Sequence, residues 1–284
     1  MSSPNIARMK AIKFKSLSSG SCGNCYFLGI FEESGSGSHC ECAVLVDAGV
    51  SPRRLKKELQ REGIGLDCIA AMLITHDHLD HIRSLGSYCK HMHLPVWLTP
   101  ELSRVLSRHF LTAKQLSGLQ RQLETGWNEI VPGRISAKYF IVPHDASQTV
   151  GFAIMLDGYR FMIMTDAGRM TEEAAGLAGK AQTLVMESNY DYEMLRHGPY
   201  PKALQDRICG GKGHLSNAEC AEAIAGLENG ELRNVFLCHL SEHNNTPQLA
   251  FECTRAVLEP SVRLVPLPRQ SPSPLFLLHA DQED

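Results

Sequence analysis

No stretch of this chain approaches the ~18 consecutive apolar residues that cross a bilayer, and Met1–Lys10 lacks the apolar run that opens a secretory signal. A membrane or exported protein is therefore not expected, and a cytoplasmic one is. Nor is there a large charge of one sign, because 28 Lys and Arg against 31 Asp and Glu leave −3 at pH 7. A uniformly basic surface is excluded, so a polyanionic partner must be held by a local patch, by metal ions or by both. No linker long enough to separate two domains interrupts the 284 residues. One domain over 1–284 is expected, with its core at about 10–265 and a Pro/Ser-rich loop and last strand in 266–284. Disulfides are not expected either, since cysteines in a reducing compartment stay as thiols. Cys22, Cys25, Cys40 and Cys42 form a C-x-x-C followed by a C-x-C, which admits a structural zinc site. The spacing is irregular and a Gly/Ser loop, Ser34–Ser38, intervenes, which favours buried or loop thiols.

What is present is a sheet-rich pattern. Hydrophobic residues make up 43% of the chain, enough for a full core, and 23 glycines with 14 prolines supply many turns. Apolar, β-branched and aromatic runs at Ala11–Leu17, Tyr26–Phe31 and Ala43–Asp47 read as strands. Ser51-Pro52 caps a helix over Arg53–Arg61, Thr99-Pro100 opens another, and Thr112 with Gln115 has the form of a capping box. Ala71–Thr75 is a strand that runs straight into His76. In the second half, Ile135–Val142, Thr149–Leu156 and Arg160–Thr165 read as strands, the last two joined by the hairpin signal Asp157-Gly158. Thr183–Met186 and Val235–Cys238 are further strands, Ser216 and Glu219 box the start of a helix at Ala218–Leu227, and Leu275–Leu278 follows the loop Pro266–Pro274. Strands and helices mixed in both halves indicate a layered α/β fold with sheets inside and helices outside.

The informative stretch is Thr75-His-Asp-His-Leu-Asp-His81, directly after a strand. His76, His78, Asp80 and His81 put four donor groups within six positions, and imidazole with carboxylate is what a Zn²⁺, Mn²⁺ or Fe²⁺ site requires. A polar loop with chance histidines would not usually begin at the end of an apolar strand.

This H-x-H-x-D-H run resembles the signature of the metallo-β-lactamase superfamily, whose fold is an αββα sandwich of two mixed sheets with helices outside. Pro143-His144-Asp145, Thr165-Asp166-Ala167-Gly168 and Leu237-Cys238-His239 are similar to its later motifs, in order. The resemblance implies two divalent metals, one on His76, His78 and His144, the other on Asp80, His81 and His239, with Asp166 bridging. Two such ions share a water, lower its pKa and aim it at an electrophile, so no side-chain nucleophile is needed. Glu187 in Met-Glu-Ser-Asn-Tyr-Asp-Tyr and His214 in Gly-His-Leu-Ser-Asn resemble the acid pair of ribonuclease Z-like phosphodiesterases. In that role His214 delivers a proton to the departing alcohol and Glu187 orients it, which makes His214, Glu187 and Asp80 the expected catalytic residues. A helix-start histidine and a surface glutamate are the plainer alternative.

Ser18–Tyr26, Leu45–Gly49, Glu187–Asp191, Gly213–Asn217 and His239–Ser241 with Asn244-Asn245 are similar to the YycJ/WalJ (VicX) branch of that superfamily, a likeness running from about 12 to 265. The branch implies 5′→3′ exonuclease activity on DNA. Cys22 and the Cys-rich segment Ser34–Cys42 depart from its pattern, away from the metal motifs. Substrate contacts are expected from Ser19, Gly20, Asn24, Ser216, Asn217 and Asn244; the Ser/Gly loop suits phosphate, although a tight turn would explain it equally. Arg53, Arg54, Lys56, Lys57 and Arg61 could follow a nucleic-acid backbone, but a solvated helix face is the simpler reading. About 70 residues separate Asp166 from His239, too few for the extra domain of β-CASP nucleases. The alternatives to a DNA exonuclease are a ribonuclease Z-like RNA-processing enzyme, a small-ester phosphodiesterase, or a non-catalytic regulatory module.

Overall fold

The computed structural model describes residues 9–35 and 37–280. Ser36 of the expected Gly/Ser loop, most of the Met1–Lys10 segment and residues 281–284 of the tail lie outside the described residues. The strands, in chain order, are β1 Met9–Gly20, β2 Gly23–Ser34, β3 Gly37–Val46, β4 Ile69–Leu73, β5 Val96–Leu98, β6 Gln120–Gln122 and β7 Asn128–Val131. They continue with β8 Ile135–Val142, β9 Thr149–Leu156, β10 Tyr159–Met164, β11 Thr183–Glu187, β12 Asn234–Cys238, β13 Arg263–Pro266 and β14 Phe276–Ala280. Among the described residues they form two seven-stranded sheets, ordered β14-β1-β2-β3-β4-β5-β6 and β13-β12-β11-β10-β9-β8-β7.

Alternation along the strands divides the core into layers. In β2, Tyr26, Leu28 and Ile30 point between the sheets, where they join Phe14 of β1 and Phe152, Phe161 and Phe236 of the second sheet. The intervening Cys25 and Phe27 face outward onto Leu55, Leu59, Leu85 and Tyr88. On the far side, Met162, Leu184 and Leu237 meet Ala174, Ala178, Cys220 and Ile224 of the opposite helices. Helix, sheet, sheet, helix is the expected order. Because both faces of each sheet are covered, the central strands are continuous apolar runs, and β11 and β12 are buried at every residue.

The differences from expectation have local causes. β1 and β2 each run to twelve residues, longer than their apolar stretches, because the polar Ser18–Gly20 stays paired with Gly23–Cys25. β5, β6, β7 and β13 are three or four residues long, too short to show a period. Thr112 forms no capping box: its hydroxyl is turned to the Leu106 carbonyl, to which it donates at 2.6 Å, and the Gln115 amide bonds the Thr112 carbonyl instead, at 3.1 Å. Ser216 and Glu219 do form one, with Glu219 N to Ser216 Oγ at 3.1 Å and Ser216 N to Glu219 Oε2 at 2.8 Å. Removing that cap with Ser216→Ala is expected to lower stability by about 1 kcal/mol, read as a shift in the urea midpoint at unchanged slope. An unchanged midpoint would show that the box contributes nothing.

The cysteine pairs do not converge. Cys25 and Cys40 face the outer helices, Cys42 faces the inter-sheet core and Cys22 is exposed. Among the described residues no group of metal donors includes a cysteine. On the basic helix, Arg61 pairs with Glu58 and Arg54 donates to the carbonyls of Leu17 and Gln270, while Arg53, Lys56 and Lys57 are exposed. No helix among the described residues is long and apolar enough to cross a membrane.

Candidate metal centre

The strands that matter end at one edge of the sandwich. β3 and β4 run parallel, as do β10, β11 and β12, so their C-terminal tips are neighbours. Asp47 follows β3, His76 follows β4, His144 follows β8, Asp166 follows β10, Glu187 closes β11 and His239 follows β12. Asp47, Asp166 and His239 have φ of 64°, 54° and 54°, left-handed values that bend the chain sharply off the strand. Asp and His tolerate this region better than most residues, and a strained turn here aims the side chain into the cleft. Two glycines make room. A Cβ on Gly49 would stand 1.8 Å from the Asp80 carbonyl, and one on Gly168 would stand 2.4 Å from the backbone of Gly211.

The donors gather into sets whose ligand atoms lie within 4.8 Å of one another: His76, His78 and His144; Asp80, His81 and His239; His76, His81 and Asp166; and Asp166, Glu187, His214 and His239. Asp166 stands between the first two, with Oδ2 3.2 Å from His81 Nε2 and Oδ1 3.8 Å from His144 Nε2.

Hydrogen bonds fix which nitrogen each imidazole presents. His144 Nδ1 lies 2.8 Å from the Gly213 carbonyl, which can only accept, so the proton is on Nδ1 and Nε2 carries the lone pair. His81 Nδ1 donates to Asp47 Oδ2 at 2.7 Å. The Thr75 hydroxyl gives its proton to Asp47 Oδ2 at 2.9 Å and is therefore free to accept from His76 Nδ1 at 3.0 Å. His239 Nδ1 donates to Glu187 Oε1 at 2.9 Å. The Nε2 atoms of His76, His144 and His239 are buried without a hydrogen-bond partner. A bare buried nitrogen costs about 1–3 kcal/mol. Cations are partners that would satisfy these nitrogens, His76 and His144 in one donor set and His239 in another, and five imidazoles with two carboxylates suit divalent ones.

Charge distribution agrees. Burial opposes ionisation of Asp166, but His239 and His81 hold its carboxyl well below the usual range. Burial likewise works against protonated His239, yet Asp166, Asp80 and Glu187 push it up to about 10. Burial opposes protonated His81 too, and Asp47 and Asp166 raise it. These shifts favour protons on His81 and His239 that a cation binding there would have to displace. Metal uptake near neutral pH is expected to release protons and to weaken as pH falls, measurable by calorimetry in buffers of different ionisation enthalpy.

Asp47 orients two imidazoles at once, directly for His81 and through Thr75 for His76, and it is fully buried. In the sequence it closes the run Ala43–Asp47 and lies within Leu45–Gly49, one of the stretches similar to the YycJ/WalJ branch, neither of which gave it a role at the site. Asp47→Asn is expected to lower metal affinity about 10–100-fold, the usual effect of losing a partner behind a ligand. Competition with a chromogenic chelator measures this, and wild-type affinity would refute the role.

Glu187 Oε1 takes hydrogen bonds from both His214 Nδ1, at 2.8 Å, and His239 Nδ1, while Oε2 accepts Ala167 N at 2.8 Å. Burial disfavours charge on either partner, but Glu187 raises His214 and His214 lowers Glu187. His214 is partly exposed and reaches the same cavity, of about 250 Å³, as His78, His144, Asp166 and His239.

None of the six expected substrate contacts is among the residues lining that cavity. Ser19 bonds Tyr26 OH at 2.9 Å and accepts His239 N at 2.9 Å. Asn24 donates to the Gly20 carbonyl at 3.2 Å and to Asp80 Oδ2 at 3.0 Å. Ser216 caps its helix, Asn217 bonds Asn245 at 2.9 Å, and Asn244 is buried beside Ser241. The cavity itself is lined by their neighbours Ser21, Asn189 and Ser241, and by Tyr200, Leu204, Arg207 and Ile208, which no motif marked.

The chain belongs to the metallo-β-lactamase superfamily: residues 43–239 match the family model described as the β-lactamase superfamily domain. It is a metal-dependent hydrolase of that fold. More particularly, it is 30% identical over 248 residues to "Exodeoxyribonuclease YycJ" of Bacillus anthracis, covering 87% of this chain and 89% of that one. It is 31% identical over 241 residues to "Exodeoxyribonuclease WalJ" of Streptococcus pneumoniae, covering 84% and 85%. Among solved structures, the metallo-β-lactamase fold protein YhfI from Bacillus subtilis superposes with a TM-score of 0.63 at 15% identity, covering 94% of this chain and 99% of that one.

Proposed function

We propose that this chain is a two-metal phosphodiesterase that removes nucleotides from DNA in the 5′→3′ direction. The observation that carries the reading is the Glu187–His214 pair, bonded at 2.8 Å beside the donor sets. The names of the two exodeoxyribonuclease relatives support DNA as the polymer.

We assign His76, His78 and His144 to one ion, Asp80, His81 and His239 to the other, and Asp166 to both, with zinc or manganese as the metals such donors suit. Two cations bound there would supply the charge that makes water nucleophilic near neutral pH and that offsets charge growing on the phosphate. The rest falls to the chain. Asp47, Glu187 and the Gly213 carbonyl hold the imidazoles in one tautomer and one orientation. His214 has Nδ1 committed to Glu187, so Nε2 is the nitrogen left to carry a proton to the departing alkoxide. Expelling an alkoxide without that proton is slow; expelling a weakly basic phenolate is not.

End-labelled duplex DNA, structured RNA and bis-p-nitrophenyl phosphate, offered in parallel to the metal-loaded protein, test this. A ladder of products receding from the 5′ end of DNA is expected. Cleavage of RNA with DNA intact would transfer the site to RNA processing. Hydrolysis of the small ester with neither polymer cut would overturn the nuclease reading.

A further inference from the structure

Tyr200, Leu204, Arg207 and Ile208 form one wall of the metal cavity. They come from the helix Lys202–Cys209 and the residues just before it. Leu204, Arg207 and Ile208 share a helix face by their i, i+3 and i+4 spacing. Gln205, buried next to that face, fastens the helix by donating to the Tyr200 carbonyl at 2.9 Å. Tyr200, Leu204 and Ile208 are half-buried, an apolar strip beside a polar centre.

Arg207 is the unexpected member. Its Nε donates to Asp145 Oδ2. Asp145 Oδ1 in turn lies 3.4 Å from His144 Nε2 and 3.8 Å from His78 Nε2. The guanidinium thus stands one carboxylate away from nitrogens suited to a divalent cation. A fixed positive charge in that place is repelled by the centre unless an anion lies between them. Asp145 supplies one anion. The side chain is 62% exposed and its two Nη groups make no other hydrogen bond among the described residues, so the fork is available for a second. Planar forks of this kind match phosphate oxygens two at a time.

We propose that this wall is a subsite for the single nucleotide beside the scissile bond, with Arg207 on the phosphate's non-bridging oxygens and the Tyr200–Leu204–Ile208 strip against the base. The inference rests on the phosphodiesterase reading above and specifies which part of the substrate the site grips. The cavity, of about 250 Å³, lies below the roughly 300–1,000 Å³ usual for drug-sized ligands, which leaves room for no more than a single residue of a polymer. Aromatic stacking accepts any base, as sequence-independent digestion requires.

The test titrates 2′-deoxyadenosine 5′-monophosphate, 2′-deoxyadenosine and inorganic phosphate into the manganese-loaded full chain by calorimetry. Wild type should bind the nucleotide more tightly than phosphate. Tyr200→Ala should weaken the nucleotide about tenfold, within the range for losing a stacked base, and leave phosphate unchanged, while Tyr200→Phe keeps both. Arg207→Ala should weaken nucleotide and phosphate alike by about tenfold, with Arg207→Lys only partly restoring them. Wild-type nucleotide affinity in both alanine variants, or no preference for nucleotide over phosphate in the wild type, overturns the subsite. Digestion of end-labelled DNA by the same wild-type sample separates the two claims. Absent digestion with Tyr200-dependent nucleotide binding leaves the subsite and refutes the exonuclease; digestion with unchanged binding does the reverse.

Discussion

Asp80→Ala is expected to abolish turnover and leave the fold standing. Asp80 sits on the one-turn helix Leu79–Ile82, with Oδ2 3.4 Å from His81 Nε2, 3.7 Å from His239 Nε2 and 3.0 Å from Asn24 Nδ2. Burial disfavours its charge, yet His239 and His81 keep the carboxyl ionised throughout the working pH range. Without it, His81 and His239 lose the third donor of their set. The loss should exceed the roughly 10–100-fold that follows from removing a partner behind a ligand, because here a ligand itself goes. The side chain is 19% exposed and joins no apolar cluster, so melting should change little. Turnover of bis-p-nitrophenyl phosphate and the thermal transition, measured on one preparation, check both halves. Full activity in a metal-stripped Asp80→Ala sample would show that the donor set has been misassigned.

His214→Ala should separate chemistry from metal binding. Two ions should still bind, since His214 contributes to neither ligand set proposed here, while turnover of esters with alkoxide leaving groups falls about 10²–10⁴-fold. Hydrolysis of p-nitrophenyl esters should fall far less, because that leaving group needs no proton. The pH dependence has a definite sign. Glu187 raises His214 against the effect of burial, so the acid form persists to higher pH than in a free imidazole. The wild-type rate on DNA should then decline as pH rises through that raised value. Glu187→Gln, which removes the charge, should bring the decline to lower pH, and His214→Ala should lack it. Equal losses on both classes of ester, with the alkaline limb intact, would remove His214 as the proton donor.

The layered fold and the metal motifs were legible because each rests on a local pattern. β8 and β9 coincide with the apolar runs that announced them, and Asp157-Gly158 turns with positive φ at both residues, as a two-residue hairpin requires. Histidines packed at the ends of apolar strands are equally visible, and the side chains they singled out do meet in one cleft. What faces the cavity was harder to read. At a tight turn the direction of a side chain depends on φ at that residue, and the left-handed values at Asp47, Asp166 and His239 carry no reliable sequence mark. Ser19 and Asn24 accordingly support His239 and Asp80 from behind, while Ser21 lines the cavity. The wall at Tyr200–Ile208 escaped notice because an eight-residue helix with a weak apolar stripe has no signature of its own.

Seven side chains from four strand ends are assigned to two cations, with Asp166 shared between them. Anomalous diffraction from crystals of the zinc- or manganese-loaded chain tests that assignment most directly. Two peaks about 3.5–4 Å apart, with Asp166 between them, are predicted. A single peak, or ions held away from His144, Asp166 and His239, would contradict it.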